Sequence, residues 1–275
     1  MRSSIRSRFW CRATLGAVAA LAAVNAGRGE TAGQIIARAR AYLGPGASLD
    51  AVRSVHFVGT MQEYFGDDPK PSDSTVEIIF QKPCQQCIIR TWPDRMETTG
   101  LDDLEAWLRT QDLKNPSQWR LTLLGPDLVK RLRANTWENL NFYQGLEQEG
   151  GMVEVRGPAV VDGVATVKVA FIHEPGIVFV RYFDTDTGRL VLTETEQGGR
   201  ITEEGEIMAG GLRFPAKVTH LTNGPDAKGQ IVPKRMVITF SKVTLNEAFP
   251  DRLFAVPELA PSMPPPPSTV SLPGH

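Results

Sequence analysis

Three cysteines and four histidines in 275 residues leave little material for metal or thiol chemistry. The one close cysteine pair, Cys84-Gln85-Gln86-Cys87, has no second C-x-x-C or H-x₃-H to complete a zinc site. His56, His173, His220 and His275 are isolated, and His56 and His220 lie in strand-like patterns as ordinary strand residues. No G-x-S-x-G, H-E-x-x-H or glycine-rich phosphate loop occurs. Nothing groups a nucleophile with a base and an orienting residue. The expectation is a protein that is not an enzyme and uses neither metal nor cofactor.

A basic surplus is missing too. Four of the 30 basic residues fall in an N-terminal leader, residues 1–26, which leaves 26 against 31 acidic residues, a net −5. A mildly acidic chain lacks the electrostatic footprint of a nucleic-acid binder and would not cling to an anionic membrane by charge alone. With 41% apolar and 22% charged residues, the chain can bury a core and is not disordered throughout. We expect a monomer.

The apolar stretch Ala13 to Val24 is shorter than the roughly 20 residues that span a bilayer. Arg2, Arg6, Arg8 and Arg12 precede or open it with no acidic residue, and Val24-Asn25-Ala26 follows as a small-residue cleavage site. This is the pattern of a signal peptide, residues 1–26, which implies export to the periplasm. Cys11 lies before the stretch rather than after it, so lipoprotein acylation is not expected. In an oxidising compartment Cys84 and Cys87 read as a disulfide pinning a hairpin, worth about 2 kcal/mol for so short a loop. Free or redox-active thiols are the alternative, but for redox exchange Cys84 follows Pro83 and precedes the β-rich Ile88-Ile89-Arg90 instead of starting a helix.

Past the leader the sequence gains periodicity. Thr31 and Gln34 are spaced as a capping box, and Ile35, Ile36, Ala39, Tyr42 and Leu43 follow at helical spacing until Gly44-Pro45-Gly46. A second helix of about 15 residues is expected from Pro126 and Asp127, with Leu128, Leu132, Asn135 or Thr136, and Leu140 on its stripe and Trp137, Phe142 and Tyr143 packed beneath. Elsewhere the pattern alternates: Val55 onward, Ser74 to Lys82, Cys87 to Trp92, Val167 to Phe171, Ile177 to Phe183, Leu190 to Glu196, Glu203 to Met208, Leu212 to Leu221 and Val232 to Val243. Glu105 to Gln111 suits helix and strand alike. Asp162-Gly163, Thr187-Gly188 and Asn223-Gly224 read as hairpin turns. Short spacing predicts antiparallel neighbours in one meandering sheet. Asp184 to Gly188 starts like a calcium loop, but Thr195 stands where the closing Glu belongs, so a turn is expected. Glu203, Glu204 and Glu206 read as a solvated face. From Glu258 to His275 the proline-rich composition predicts a disordered tail.

Three stretches carry a likeness to a known family. They are Val55 to Tyr64; Ile78 to Trp107, with "IIFQKP", "IIRTWP" and "DDLEAW" in order; and Val164 to Pro257, with "YFDTDTGRL", "LRFPAKV" and "LFAVP". The chain resembles the LolA-type outer-membrane lipoprotein-sorting superfamily. The resemblance implies a mainly β (α+β) fold for residues 27–257: an open, curved antiparallel half-barrel, covered on its concave side by helices over an apolar cavity for lipid chains. It also turns Glu105 to Gln111 into a strand. Where those carriers have a functionally important Arg before the Pro-turn, this chain has Lys82, which cannot form the planar guanidinium fork. Their Asp-Gly turn is Leu101-Asp102-Asp103 here.

A curved sheet with large apolar residues on one face and few helices to cover it leaves apolar area to spare. Candidate cavity-lining residues are Phe57, Met61, Ile78, Phe80, Val169, Phe171, Phe179, Phe183, Met236, Ile238 and Phe240. The expected function is a periplasmic carrier holding the acyl chains of a lipid or lipoprotein. The alternative is an envelope sensor on the same fold that recognises a protein partner.

Overall fold

The computed structural model describes residues 29–258 apart from 175 and 227. The expected signal peptide and nearly all of the proline-rich tail lie outside the described residues. All of the described helices and strands belong to the unit that begins at Thr31.

Helix α1 (Ala32–Leu43) starts as the capping box requires. The Gln34 amide donates to the Thr31 hydroxyl at 3.3 Å, and the Thr31 amide donates back to the Gln34 side chain at 2.9 Å. Ile35 and Ala39 are its buried residues, and after Gly44 a single further turn, α2 (Gly46–Asp50), buries Leu49. The strands then run in two series. The first is β1 (Ser54–Phe65), β2 (Ser72–Gln81), β3 (Gln85–Thr91), β4 (Arg95–Asp102), β5 (Glu105–Asp112) and β6 (Trp119–Leu123). Helix α3 (Pro126–Leu140) separates them from the second series. That series is β7 (Met152–Val161), β8 (Val164–Glu174), β9 (Ile177–Asp184), β10 (Leu190–Thr195), β11 (Arg200–Glu204), β12 (Ile207–Ala209), β13 (Leu212–Phe214), β14 (Lys217–Pro225) and β15 (Ile231–Leu245).

Thirteen strands form one antiparallel sheet in the order β6-β5-β4-β3-β2-β1-β15-β14-β11-β10-β9-β8-β7. The sheet is curved and not closed, so the mainly β half-barrel expectation holds. Each series is a meander, and pairing of β1 with β15 joins them. The two remaining strands, β12 and β13, form a separate hairpin. Curvature has a local cause at the seam. The β1–β15 register slips between Val58 and Gly59, where a Cβ on Gly59 would sit 2.2 Å from the Thr239 carbonyl oxygen. Only glycine admits that approach, and the resulting bulge bends the strand.

Successive side chains alternate between faces. Phe57, Phe80 and Phe240 share the inner face with Leu212, Phe214 and Phe142 in the largest core cluster. Ile79 and Cys87 face outward and are capped by Phe254, whose carbonyl accepts a 2.7 Å hydrogen bond from Trp107 Nε1. The closing "LFAVP" stretch thus seals the outer face.

Several expectations are corrected. The Glu203–Met208 strand is broken at Gly205, and Leu212–Leu221 is broken at Pro215, which cannot donate to the ladder. Asn223-Gly224 is not a turn: both residues pair with β15, and the chain reverses at residues 226–230. Strands β4, β6 and β7 were not expected: β4 and β7 mix Thr, Arg and small residues without sustained alternation, and β6 alternates over only five residues. Leu128 is exposed, and Val129, Thr136 and Leu140 form the buried side of α3.

Cys84 and Cys87 are free thiols rather than the expected disulfide. The reason is geometric. Cys84 lies in the turn that precedes β3 and Cys87 within the strand, and the two side chains point to opposite faces of the sheet. Cys84 packs inward beside Leu101, Ala106 and Val129, whereas Cys87 packs outward against Ile79 and Phe254.

Candidate functional site

The inner face of the sheet and the underside of α3 do not meet completely. Between them lies a cavity of about 380 Å³, within the roughly 300–1,000 Å³ common for small-molecule sites. Its wall is made by strand alternation: Phe57 and Met61 from β1, Ile78 and Phe80 from β2, Phe179 from β9, and Met236, Ile238 and Phe240 from β15. Ile88, Ile201, Val218 and Phe214 join them, and Leu43, Asn135, Asn139, Phe142 and Tyr143 close the helical side. Three of the residues expected here are elsewhere. Val169, Phe171 and Phe183 are fully buried in a second core cluster, because Ile35 and Ala39 of α1, with Tyr143 and Leu146, cover that half of the inner face.

Polar side chains occupy one end of the wall. Glu138 of α3, with its side chain 3% exposed, lies 2.6 Å from Arg181 Nη2 and 2.7 Å from His173 Nε2. The Arg181 guanidinium stacks over the Tyr143 ring at 4.7 Å. Burial, more than any neighbouring charge, pushes the Tyr143 phenol and the Glu203 carboxyl above their ordinary values, and Arg181 offsets part of both shifts. Glu203 lines the cavity, which corrects its reading as solvated; Glu204 and Glu206 are exposed as expected. Further along, Gln86 is fully buried and accepts from Asn135 and Thr136, tying α3 to β3.

Leu43, Tyr143, Glu203, Arg213, Phe214 and Pro215 also line a second pocket of about 390 Å³, so it adjoins the apolar one. Its other lining residues are Tyr42, Arg189, Leu190, Glu204, Gly205 and Glu206. Strand β13 stands between the two pockets. Phe214 turns inward against Phe57, while Arg213 donates to the Tyr42 carbonyl at 2.6 Å.

Lys82 follows β2 in the turn to β3, outside both linings, and burial, with Arg53 nearby, lowers its ammonium below the ordinary value. Asp184 accepts from the amides of Asp186 and Thr187, so its carboxylate is used by the turn. Among the described residues no group of three or more His, Cys, Asp and Glu side chains is placed to hold a metal. No described helix is long and apolar enough to cross a membrane.

The fold has counterparts among solved structures. A LolA superfamily protein from Nitrosomonas europaea superposes with a TM-score of 0.52 at 11% identity, over 82% of this chain and 98% of that one. The chain has a LolA-like fold. A putative outer membrane lipoprotein-sorting protein domain from Vibrio parahaemolyticus matches at 0.50 and 9% identity, over 80% and 95% of the two chains. A DUF1329 family protein from Desulfovibrio piger matches at 0.51 and 10%, with the same coverage. No protein-family model and no curated protein matches the sequence. At these identities the likeness to LolA-like proteins is one of fold.

The polar members of this site were not legible in advance. Glu138, His173 and Arg181 sit on three different elements, each alone in its local pattern. The buried face of α3 offered the one clue, a carboxylate where a helix covering a sheet would carry an apolar residue.

Proposed function

We propose that this chain is an envelope carrier that shelters the acyl chain of a lipid or lipoprotein in the half-barrel. The observation that carries this reading is the cavity itself: about 380 Å³ walled by large apolar side chains on a LolA-like sheet, opening toward a polar pocket. Each CH₂ removed from water contributes about 0.8 kcal/mol, so a long chain binds usefully without a dedicated motif. The cationic and then apolar N-terminus supports delivery to the periplasm. Phe57, Met61, Ile78, Phe80, Phe179, Met236, Ile238 and Phe240 are the proposed contacts, and no chemical step is assigned to them.

The test is native mass spectrometry of protein purified from its host envelope, with lipid extraction from the same sample. A co-purifying acylated ligand is expected. Protein that is always empty, and that takes up no fluorescent fatty acid, would count against carriage.

Recognition of a protein partner is the second reading. Edge strand β6 leaves Trp119 and Leu123 exposed, and edge strand β7 leaves Met152, Val155 and Val160 exposed. Unpaired edges with apolar side chains suit addition of a partner strand. A pull-down that retains one envelope protein with lipid removed would favour it.

A further inference from the structure

The outer pocket carries charge that its own residues do not neutralise. Five charged side chains line it: Arg189, Glu203, Glu204, Glu206 and Arg213. Three are satisfied internally. Glu204 is 2.7 Å from Lys217 Nζ, and Glu206 accepts from the Tyr42 hydroxyl at 2.7 Å and lies 3.4 Å from Arg213 Nε. Arg189 and Glu203 differ. Neither makes a side-chain hydrogen bond or a close ion pair with a described residue, although Arg181 lies near enough to Glu203, and Asp184 near enough to Arg189, to act through the field. Arg189 flanks the Tyr42 phenol, and Glu203 stands on the wall shared with the apolar cavity.

Resting on the carrier reading, we propose that this pocket is a headgroup site for a zwitterionic phospholipid: Arg189 takes the phosphate, Glu203 takes the ammonium, and the acyl chain enters the adjoining cavity. One open cation and one open anion in the same pocket match a ligand bearing both charges. A purely anionic headgroup would leave Glu203 unpaired in a half-buried position, and an uncharged glyceride would leave both groups so. Charge-assisted contacts are the stronger class of hydrogen bond, and Arg suits phosphate because of its planar fork. Burial raises the Glu203 carboxyl, and an ammonium beside it would stabilise the ionised form and reverse that shift.

The experiment compares three single-chain probes with identical acyl groups on delipidated protein: lysophosphatidylethanolamine, lysophosphatidylglycerol and monoacylglycerol. Expected is an order of affinity in that sequence, with each lost charge pairing weakening binding by about tenfold. Glu203→Gln should bring the ethanolamine-to-glycerol affinity ratio near one. Arg189→Gln should lower both phospholipids relative to monoacylglycerol. Ratios are read because a general loss of folded protein cancels in them. Monoacylglycerol binding as tightly as the other two, or ratios that neither substitution moves, would overturn the headgroup site while leaving the carrier reading standing. Failure of all three probes to bind would overturn both.

Discussion

A carboxylate on the covered side of a helix is costly unless something pairs with it, and Glu138 is paired twice, with Arg181 and His173. Glu138→Ala strands a guanidinium 11% exposed against Tyr143 and Phe171. A loss of about 3 kcal/mol is expected in urea unfolding, whereas a loss under about 1 kcal/mol would mean that the site relaxes freely. Glu203 has the opposite sign. Its folded carboxyl is raised by burial above the ordinary 4.5, so its contribution to stability is present at acid pH and is lost as pH rises through the folded value. Glu203→Gln should therefore raise the melting temperature of the empty protein by a few degrees at neutral pH and leave it unchanged near pH 4. Melting curves across that range check it, and an equal shift at both ends would contradict it. The cysteines make a third case. Burial pushes Cys84 up to about 11 and Cys87 up to about 12. Alkylation of the native protein at about pH 8 should be slow at both, and reductant should leave the unfolding midpoint unchanged; a midpoint lowered by reductant would indicate a disulfide.

At the scale of elements, curvature depends on β1, which joins the first series to β15 of the second and carries the bulge at Gly59. Gly59→Ala forces a methyl group into the Thr239 carbonyl and should cost about 2–3 kcal/mol, measured as a lower denaturation midpoint. No change would mean that the seam opens without penalty. Legibility also divides by element. Strands such as β1 and β15 were readable because large apolar residues recur at every second position, at Met236, Ile238 and Phe240 in β15 and, interrupted by Gly59, at Val55, Phe57 and Met61 in β1. Strand β4, "RMETTGLD", was not, since its inward positions hold Glu97 and Thr99 ahead of Leu101 and show no apolar alternation. The β12–β13 hairpin was missed because Pro215 and Gly205 break patterns that otherwise run on. Which inner-face residues line a cavity and which fill a core was beyond the sequence. Phe171 and Phe179 face each other across one ladder, yet α1 covers the first and leaves the second at the cavity.

At the scale of the whole molecule, an open sheet with a helix across its hollow leaves apolar wall with nothing against it, and such a void forfeits packing. A ligand that fills it binds the folded state alone and must raise stability, by about 2.7 kcal/mol at a hundred times its dissociation constant. The most direct measurement is titration of a fluorescent single-chain fatty acid into the delipidated protein beside two variants that fill the hollow, Ile238→Trp and Val218→Phe, both on the cavity wall. The native chain should bind with saturation and the two variants should bind at least about tenfold more weakly while melting no lower. Equal binding by all three would place the acyl chain somewhere other than this cavity and contradict the carrier reading.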